Sequence, residues 1–157
     1  VVGDEVWIYY WAYGVDHNHT FPPGDTGFPM GICLAKLRLD GFVSVNAGTI
    51  DSDLMKTEPE RALRKEGTLT TKPLTFEGGK LLVNANAEWG SVLVEILDTD
   101  KEPIAKFSRD DCDALDCDEI RHTVTWGGSP DLSTLKGKDV RLRFYLKEAK
   151  LFSLKFE

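Results

Sequence analysis

From Gly67 to Phe156 the chain is a succession of short apolar segments, each closed by a turn signal. The segments are 68–76, Leu81–Asn86, Ser91–Leu97, 121–126, 140–146 and 151–156. Between them lie Glu77-Gly78-Gly79, Trp89-Gly90, Asp98-Thr99-Asp100, Gly127-Gly128-Ser129-Pro130 and Lys136-Gly137-Lys138. Strand-length runs punctuated this often predict a sandwich of β-sheets and leave no room for a helix-covered fold. The last two segments show the period of two that a half-wetted strand requires. Val140, Leu142, Phe144 and Leu146 face one way, and Arg141, Arg143, Tyr145 and Lys147 the other. Phe152, Leu154 and Phe156 alternate in the same way with Ser153 and Lys155. Strands with one wet face belong to antiparallel sheets packed in two layers. The expectation is an all-β, antiparallel, jelly-roll-like sandwich over residues 41–157.

Upstream the pattern differs. Val6-Trp7-Ile8-Tyr9-Tyr10-Trp11-Ala12-Tyr13 is apolar at both alternating positions, which predicts a strand buried from two sides. Residues 14–29 hold three of the seven prolines and predict a long, functional loop. A second strand over 30–39 closes on Asp40-Gly41, making residues 1–40 an N-terminal β-hairpin with its loop, and 42–45 follows as a hairpin partner or a bent continuation. Residues 51–65 carry Leu54, Met55, Ala62 and Leu63 at irregular spacing around Pro59, enough for one helical turn. Val1-Val2-Gly3-Asp4-Glu5 leads directly into the first strand with neither an initiator Met nor a leader pattern, so the chain is expected to be part of a longer polypeptide.

The chain has 157 residues, with 19 Lys and Arg against 26 Asp and Glu, a formal charge of −7. That sign argues against tracking the phosphates of a nucleic acid or binding an anionic membrane. The apolar runs fall well short of the roughly 20 residues that cross a bilayer as a helix.

Several clusters carry candidate chemistry. Asp16-His17-Asn18-His19 offers two imidazoles at i and i+2 for a metal, or Asp16 and His19 as partners for a substrate hydroxyl. Asp110, Asp111, Asp113, Asp116, Asp118 and Glu119 crowd ten residues, and Asp111, Asp113, Asp116 and Asp118 are candidate calcium ligands. They do not form an EF-hand loop: counted from Asp111, position six is Asp116 and position twelve is His122. Cys112 and Cys117 are close enough in sequence for a disulfide across a loop, whereas Cys33 in an apolar strand suits a small buried hydrophobe. Asp4, Glu5, Glu88 and Glu95 are carboxylates of the kind a glycosidase pairs across a sugar, and none has a context that singles it out. No nucleophile elbow, P-loop or dinucleotide fingerprint is present. Among the aromatic residues, Tyr145 on the Arg141/Arg143 face and Trp89 in a turn are the candidates for stacking on a sugar ring, with Arg143 beside them.

Gly3-Asp4-Glu5 with Trp7-Ile8-Tyr9-Tyr10 resembles the last blade of the five-bladed β-propeller glycoside hydrolases of the invertase and levanase type. Leu34-Ala35-Lys36-Leu37-Arg38-Leu39-Asp40-Gly41-Phe42-Val43-Ser44 resembles the junction at which such propellers, in an environmental-bacterial group of glycosyl hydrolases, pass into a C-terminal β-sandwich. Gly67-Thr68-Leu69-Thr70-Thr71-Lys72-Pro73-Leu74, Leu81-Leu82-Val83-Asn84-Ala85, Val94-Glu95-Ile96-Leu97-Asp98, Gly137-Lys138-Asp139-Val140-Arg141-Leu142-Arg143-Phe144 and Leu151-Phe152-Ser153-Leu154-Lys155-Phe156 are similar to that sandwich. The resemblance implies that the nucleophile and general acid belong to earlier blades, so no catalytic residue transfers to this chain. It implies an extracellular or periplasmic location, and as partners a glycan or the propeller itself. It also places the loop holding Asp16, His17 and His19 toward the propeller's pocket. The leading expectation is a non-catalytic, carbohydrate-associated sandwich. The alternatives are a free-standing carbohydrate-binding module with a structural calcium and, ranked last, a small hydrolase built on Glu5. Unpartnered N-terminal strands would also offer a surface for self-association.

Overall fold

The computed structural model describes residues 1–15, 20, 30–47 and 66–157. The expected helical turn and most of the 14–29 loop, including Asp16, His17 and His19, lie outside the described residues. The chain divides into two compact units, Val1–Leu39 and Asp40–Glu157.

The first unit is a two-stranded antiparallel sheet. β1 (Glu5–Tyr13) pairs with β2 (Met30–Arg38) in unbroken register from Glu5↔Arg38 to Tyr13↔Met30. β1 was expected to be buried on both faces, and it is not: Tyr9, Tyr10, Trp11 and Tyr13 are all exposed. The double-sided apolar run reports what the strand can pack against, and β2 alone supplies too little surface to cover it. Cys33 is likewise only half-buried. The aromatic rings lean on one another along the strand, Trp7 against Tyr9 at 6.4 Å and Trp11 against Tyr13 at 6.2 Å. Lys36 Nζ lies 4.7 Å from the Trp7 ring and 3.1 Å from Glu5.

The second unit is a jelly-roll sandwich. Its strands are β3 (Val45–Ala47), β4 (Gly67–Thr70), β5 (Leu81–Asn86), β6 (Ser91–Leu97), β7 (Asp118–Thr123), β8 (Arg141–Lys147) and β9 (Ala149–Phe156), with a 3-10 turn at Ser133–Leu135. One sheet has the order β3-β9-β5-β7 and the other β4-β8-β6. Successive strands therefore alternate between the two sheets. The pairings nest as in a long hairpin rolled up on itself: β3 with β9, β4 with β8, β5 with β7. The innermost pair is completed by the segment between β6 and β7, which runs along the free edge of β6. Ile104 N–H donates to Ile96 C=O, Ile96 N–H to Phe107 C=O, and Val92 and Leu115 exchange both bonds at 2.9 and 3.0 Å.

The inner faces meet in one core. Leu81, Val83 and Ala85 from β5 pack with Val92, Val94 and Ile96 from β6 and with Leu142, Phe144 and Leu146 from β8. Phe76 and Phe156 close one end as parallel stacked rings 4.0 Å apart. The alternation expected for β8 holds. The extended segment expected over 42–45 is a bend at Phe42 and Val43, with the strand at Val45–Ala47, and two further boundaries move for identifiable reasons. The strand expected over 68–76 stops at Thr70, because Pro73 has no N–H to give the ladder, and only Leu74↔Val140 resumes it. The strand expected over 121–126 begins earlier, at Asp118, and Trp126 instead pairs with Ser129 in a turn.

Gly90 marks a close backbone approach at the turn between β5 and β6. A Cβ there would stand 1.8 Å from the carbonyl oxygen of Lys147. Gly90→Ala is expected to cost about 3 kcal/mol, the upper end for overpacking, because backbone and not a flexible side chain must move. Thermal unfolding checks this, and an unchanged midpoint contradicts it.

Candidate functional site

The outward face of the three-stranded sheet carries a polar network centred on Glu95. Register places Glu95 opposite Arg143, and Arg143 opposite Thr70. Tyr145 Oη donates to Glu95 Oε2 at 2.7 Å and Arg143 Nη1 donates to the same oxygen at 3.2 Å. The Arg109 N–H reaches Oε1 at 3.4 Å. Arg143 Nε also donates to Thr70 Oγ1 at 3.3 Å. The Arg109 guanidinium lies over the Tyr145 ring, 4.5 Å from its centre, and its Nη2 donates to Glu66 at 2.9 Å. Glu95 is only 5% exposed, so the carboxylate is enclosed by its own donors. Burial pushes the Tyr145 phenol up, and the neighbouring Glu95 carboxylate acts in the same direction. The arrangement fixes geometry: both Glu95 oxygens are engaged, and one face of the Tyr145 ring is taken by a guanidinium. Three residues named from the sequence, Glu95, Arg143 and Tyr145, therefore meet here. Trp89, 52% exposed, sits outside this row at the β5–β6 turn.

A groove lies at one edge of the sandwich, between the segment beside β6 and the loop after β7. It encloses about 460 Å³, with Ile104, Phe107 and Trp126 on its apolar side and Lys106, Asp131 and Thr134 among its polar groups. Phe107 meets the Trp126 ring edge-on at 5.4 Å, and Trp126 Nε1 donates to Val94 C=O at 2.9 Å, which fixes the aromatic wall. Asp131 Oδ1 accepts the Ser133 N–H at 2.8 Å and so anchors the 3-10 turn that supplies Thr134 and Leu135. A volume within the roughly 300–1,000 Å³ of ligand pockets, apolar walls and a few convergent polar groups suit a small polar ligand.

The acidic segment is built differently from the calcium loop considered above. Asp113 Oδ2 accepts from Thr125 Oγ1 at 2.6 Å and from the Gly128 N–H at 2.7 Å, and these bonds, the hydroxyl first, hold its carboxyl below the usual range. Asp111 Oδ2 accepts from Ser108 Oγ at 2.6 Å. These two carboxylates serve as loop fasteners. Among the described residues, Asp111, Asp113, Asp116 and Asp118 do not gather into a ligand cluster; Cys117, Glu119 and His122 do.

The disulfide expected between Cys112 and Cys117 is not formed, and both thiols are free. Cys112 Sγ accepts the Val94 N–H at 3.2 Å and is drawn toward β6, whereas Cys117 Sγ turns toward Glu119 and His122. Burial pushes the Cys112 thiol up to about 11. At pH 8 its alkylation is expected to be on the order of a hundredfold slower than that of an ordinary thiol, since only the thiolate reacts. The rate should climb as pH approaches 11. Labelling followed by mass spectrometry reads each cysteine separately, and a Cys112 rate equal to that of a small free thiol such as glutathione would contradict this.

Sequence reasoning missed Arg109, Glu66, the groove and the Cys117 cluster. Arg109 and Glu66 are 43 residues apart, and no local pattern joins them. Comparison with family models, curated proteins and solved structures finds no match to this chain. Among the described residues, no helix is long and apolar enough to cross a membrane.

Proposed function

We propose that this chain is a non-catalytic, carbohydrate-associated β-sandwich module, the C-terminal portion of a secreted, propeller-type glycoside hydrolase. The observation that carries the reading is the groove beside β6. Its apolar side, Ile104 and Phe107 with the buried Trp126 supporting Phe107 edge-on, suits the apolar face of a pyranose or furanose ring, and Lys106, Asp131 and Thr134 offer charged and hydroxyl groups to the ring's hydroxyls. The jelly-roll order, common among lectin domains, is consistent with it. The Glu95 network supports a non-catalytic role, because its carboxylate is committed to three donors.

The exposed hairpin supports the second half of the proposal. A two-stranded sheet is marginal alone, and β1–β2 exposes aromatic side chains that a neighbouring propeller sheet, or a second copy of the chain, would cover. A free-standing module is the second reading; the groove lies wholly within Asp40–Glu157, so it does not need the hairpin.

Calorimetric titration with fructan and xylan oligosaccharides tests the proposal. Micromolar to millimolar binding is expected, weakened at least tenfold by Lys106→Ala or Asp131→Asn and unchanged in Tyr9→Ser. Absence of binding across such a panel, or hydrolysis by the chain alone, overturns it.

A further inference from the structure

Cys117, Glu119 and His122 could not be brought together by a regular strand. Positions 119 and 122 differ by three, an odd offset, and would point to opposite faces. β7 carries a bulge that reverses this. Its register against β5 runs Leu82↔Thr123 and Val83↔His122, then shifts to Ala85↔Glu119 and Asn86↔Asp118, so Ile120 and Arg121 together oppose Asn84. The extra residue restores His122 to the side occupied by Glu119. Cys117 continues the same row, its C=O accepting the Ala87 N–H at 2.9 Å. Because Val83, Ala85 and Ala87 face the core, the three side chains lie on the inward side of an edge strand, at the rim of the sandwich. The His122 side chain is 24% exposed and that of Glu119 50%, which leaves the site open to solvent.

The thiol, a carboxylate oxygen and an imidazole nitrogen all lie within 4.8 Å of one another. His122 Nδ1 and Glu119 Oε2 are already 3.0 Å apart. Metal bonds of about 2.0–2.3 Å in a tetrahedron set donors roughly 3.3–3.7 Å apart, so the cluster needs to tighten by only about an ångström. We propose that Cys117, Glu119 and His122 form a three-ligand site for a divalent, borderline-soft transition cation, zinc fitting best, with water in the fourth position. A sulfur, a nitrogen and one carboxylate suit zinc, whereas calcium takes six to eight oxygens. Asp116 and Asp118, flanking Cys117, add negative charge that concentrates cations at this edge. The site is separate from the groove and does not rest on the carbohydrate reading.

The test is titration of the reduced, full chain with cobalt(II), then displacement by zinc(II). One equivalent of cobalt is expected to produce a sulfur-to-metal charge-transfer band together with the d–d bands of a four-coordinate ion. Cys117→Ser abolishes the charge-transfer band, and Cys33→Ser and Cys112→Ser retain it. His122→Gln, a polar replacement at the rim that keeps the fold, weakens zinc at least tenfold. Cobalt bound without the sulfur band, a band that follows Cys112 instead of Cys117, or zinc affinity unchanged in both Cys117→Ser and His122→Gln overturns the proposal. Circular dichroism confirms that each variant is folded before it is scored.

Discussion

Phe144→Ala is expected to destabilise the sandwich by about 3–5 kcal/mol, the range for removing a fully buried aromatic ring. Phe144 has no exposed surface and sits in β8, the middle strand of its sheet, directly opposite Leu69 on β4 and Val94 on β6. Neighbours on both sides are held in ladders, so the cavity cannot collapse. Domains of this size are commonly stable by only about 5–15 kcal/mol, so the loss is a large share of the total. Urea unfolding should show a much lower midpoint with little change in slope. Tyr9→Ser, on the exposed face of β1, should leave that midpoint where it was. A small shift for Phe144→Ala would mean that the two sheets do not share the core described above.

Glu95→Ala is expected to cost about 2–3 kcal/mol, less than a fully buried ion pair because the Arg143 side chain keeps 28% of its surface in water. The loss comes from what remains: a half-buried phenol and a guanidinium facing a void where their acceptor stood. Tyr145→Phe removes one hydrogen bond and should cost about 1 kcal/mol. The two effects should not add, since the hydroxyl loses its purpose once the carboxylate is gone. A double-mutant cycle in denaturant measures the coupling, and strict additivity would show that Glu95 and Tyr145 act independently.

The sandwich was legible in the sequence because alternation is a local property. Arg141, Arg143, Tyr145 and Lys147 alternate with buried residues as their spacing dictates, and Gly and Pro mark where strands end. The hairpin misled for the opposite reason: the composition of residues 6–13 records an appetite for burial, and only the neighbours decide whether it is met. The candidate sites were harder because each depends on register. Arg143 and Tyr145 could be placed on one face, but Glu95, Arg109 and Glu66 join them through pairings that no short window contains. Cys117 was read with Cys112 by proximity in sequence. A single inserted residue at Ile120–Arg121 changes the parity of the strand and gives the thiol different company. Asp16 and His19 lie outside the described residues, and their roles stay with the sequence-based expectation.

The nested order has a consequence for synthesis. β9 lies between β3 and β5 in the four-stranded sheet, so residues 149–156 supply an interior strand rather than an edge. An emerging chain that has already made β3 and β5 leaves a gap between them until Phe156 clears the ribosome tunnel. During that interval the unfinished sheet is open to sticking and to chaperones, and the pairings of β3 and β5 with β9 wait for its emergence.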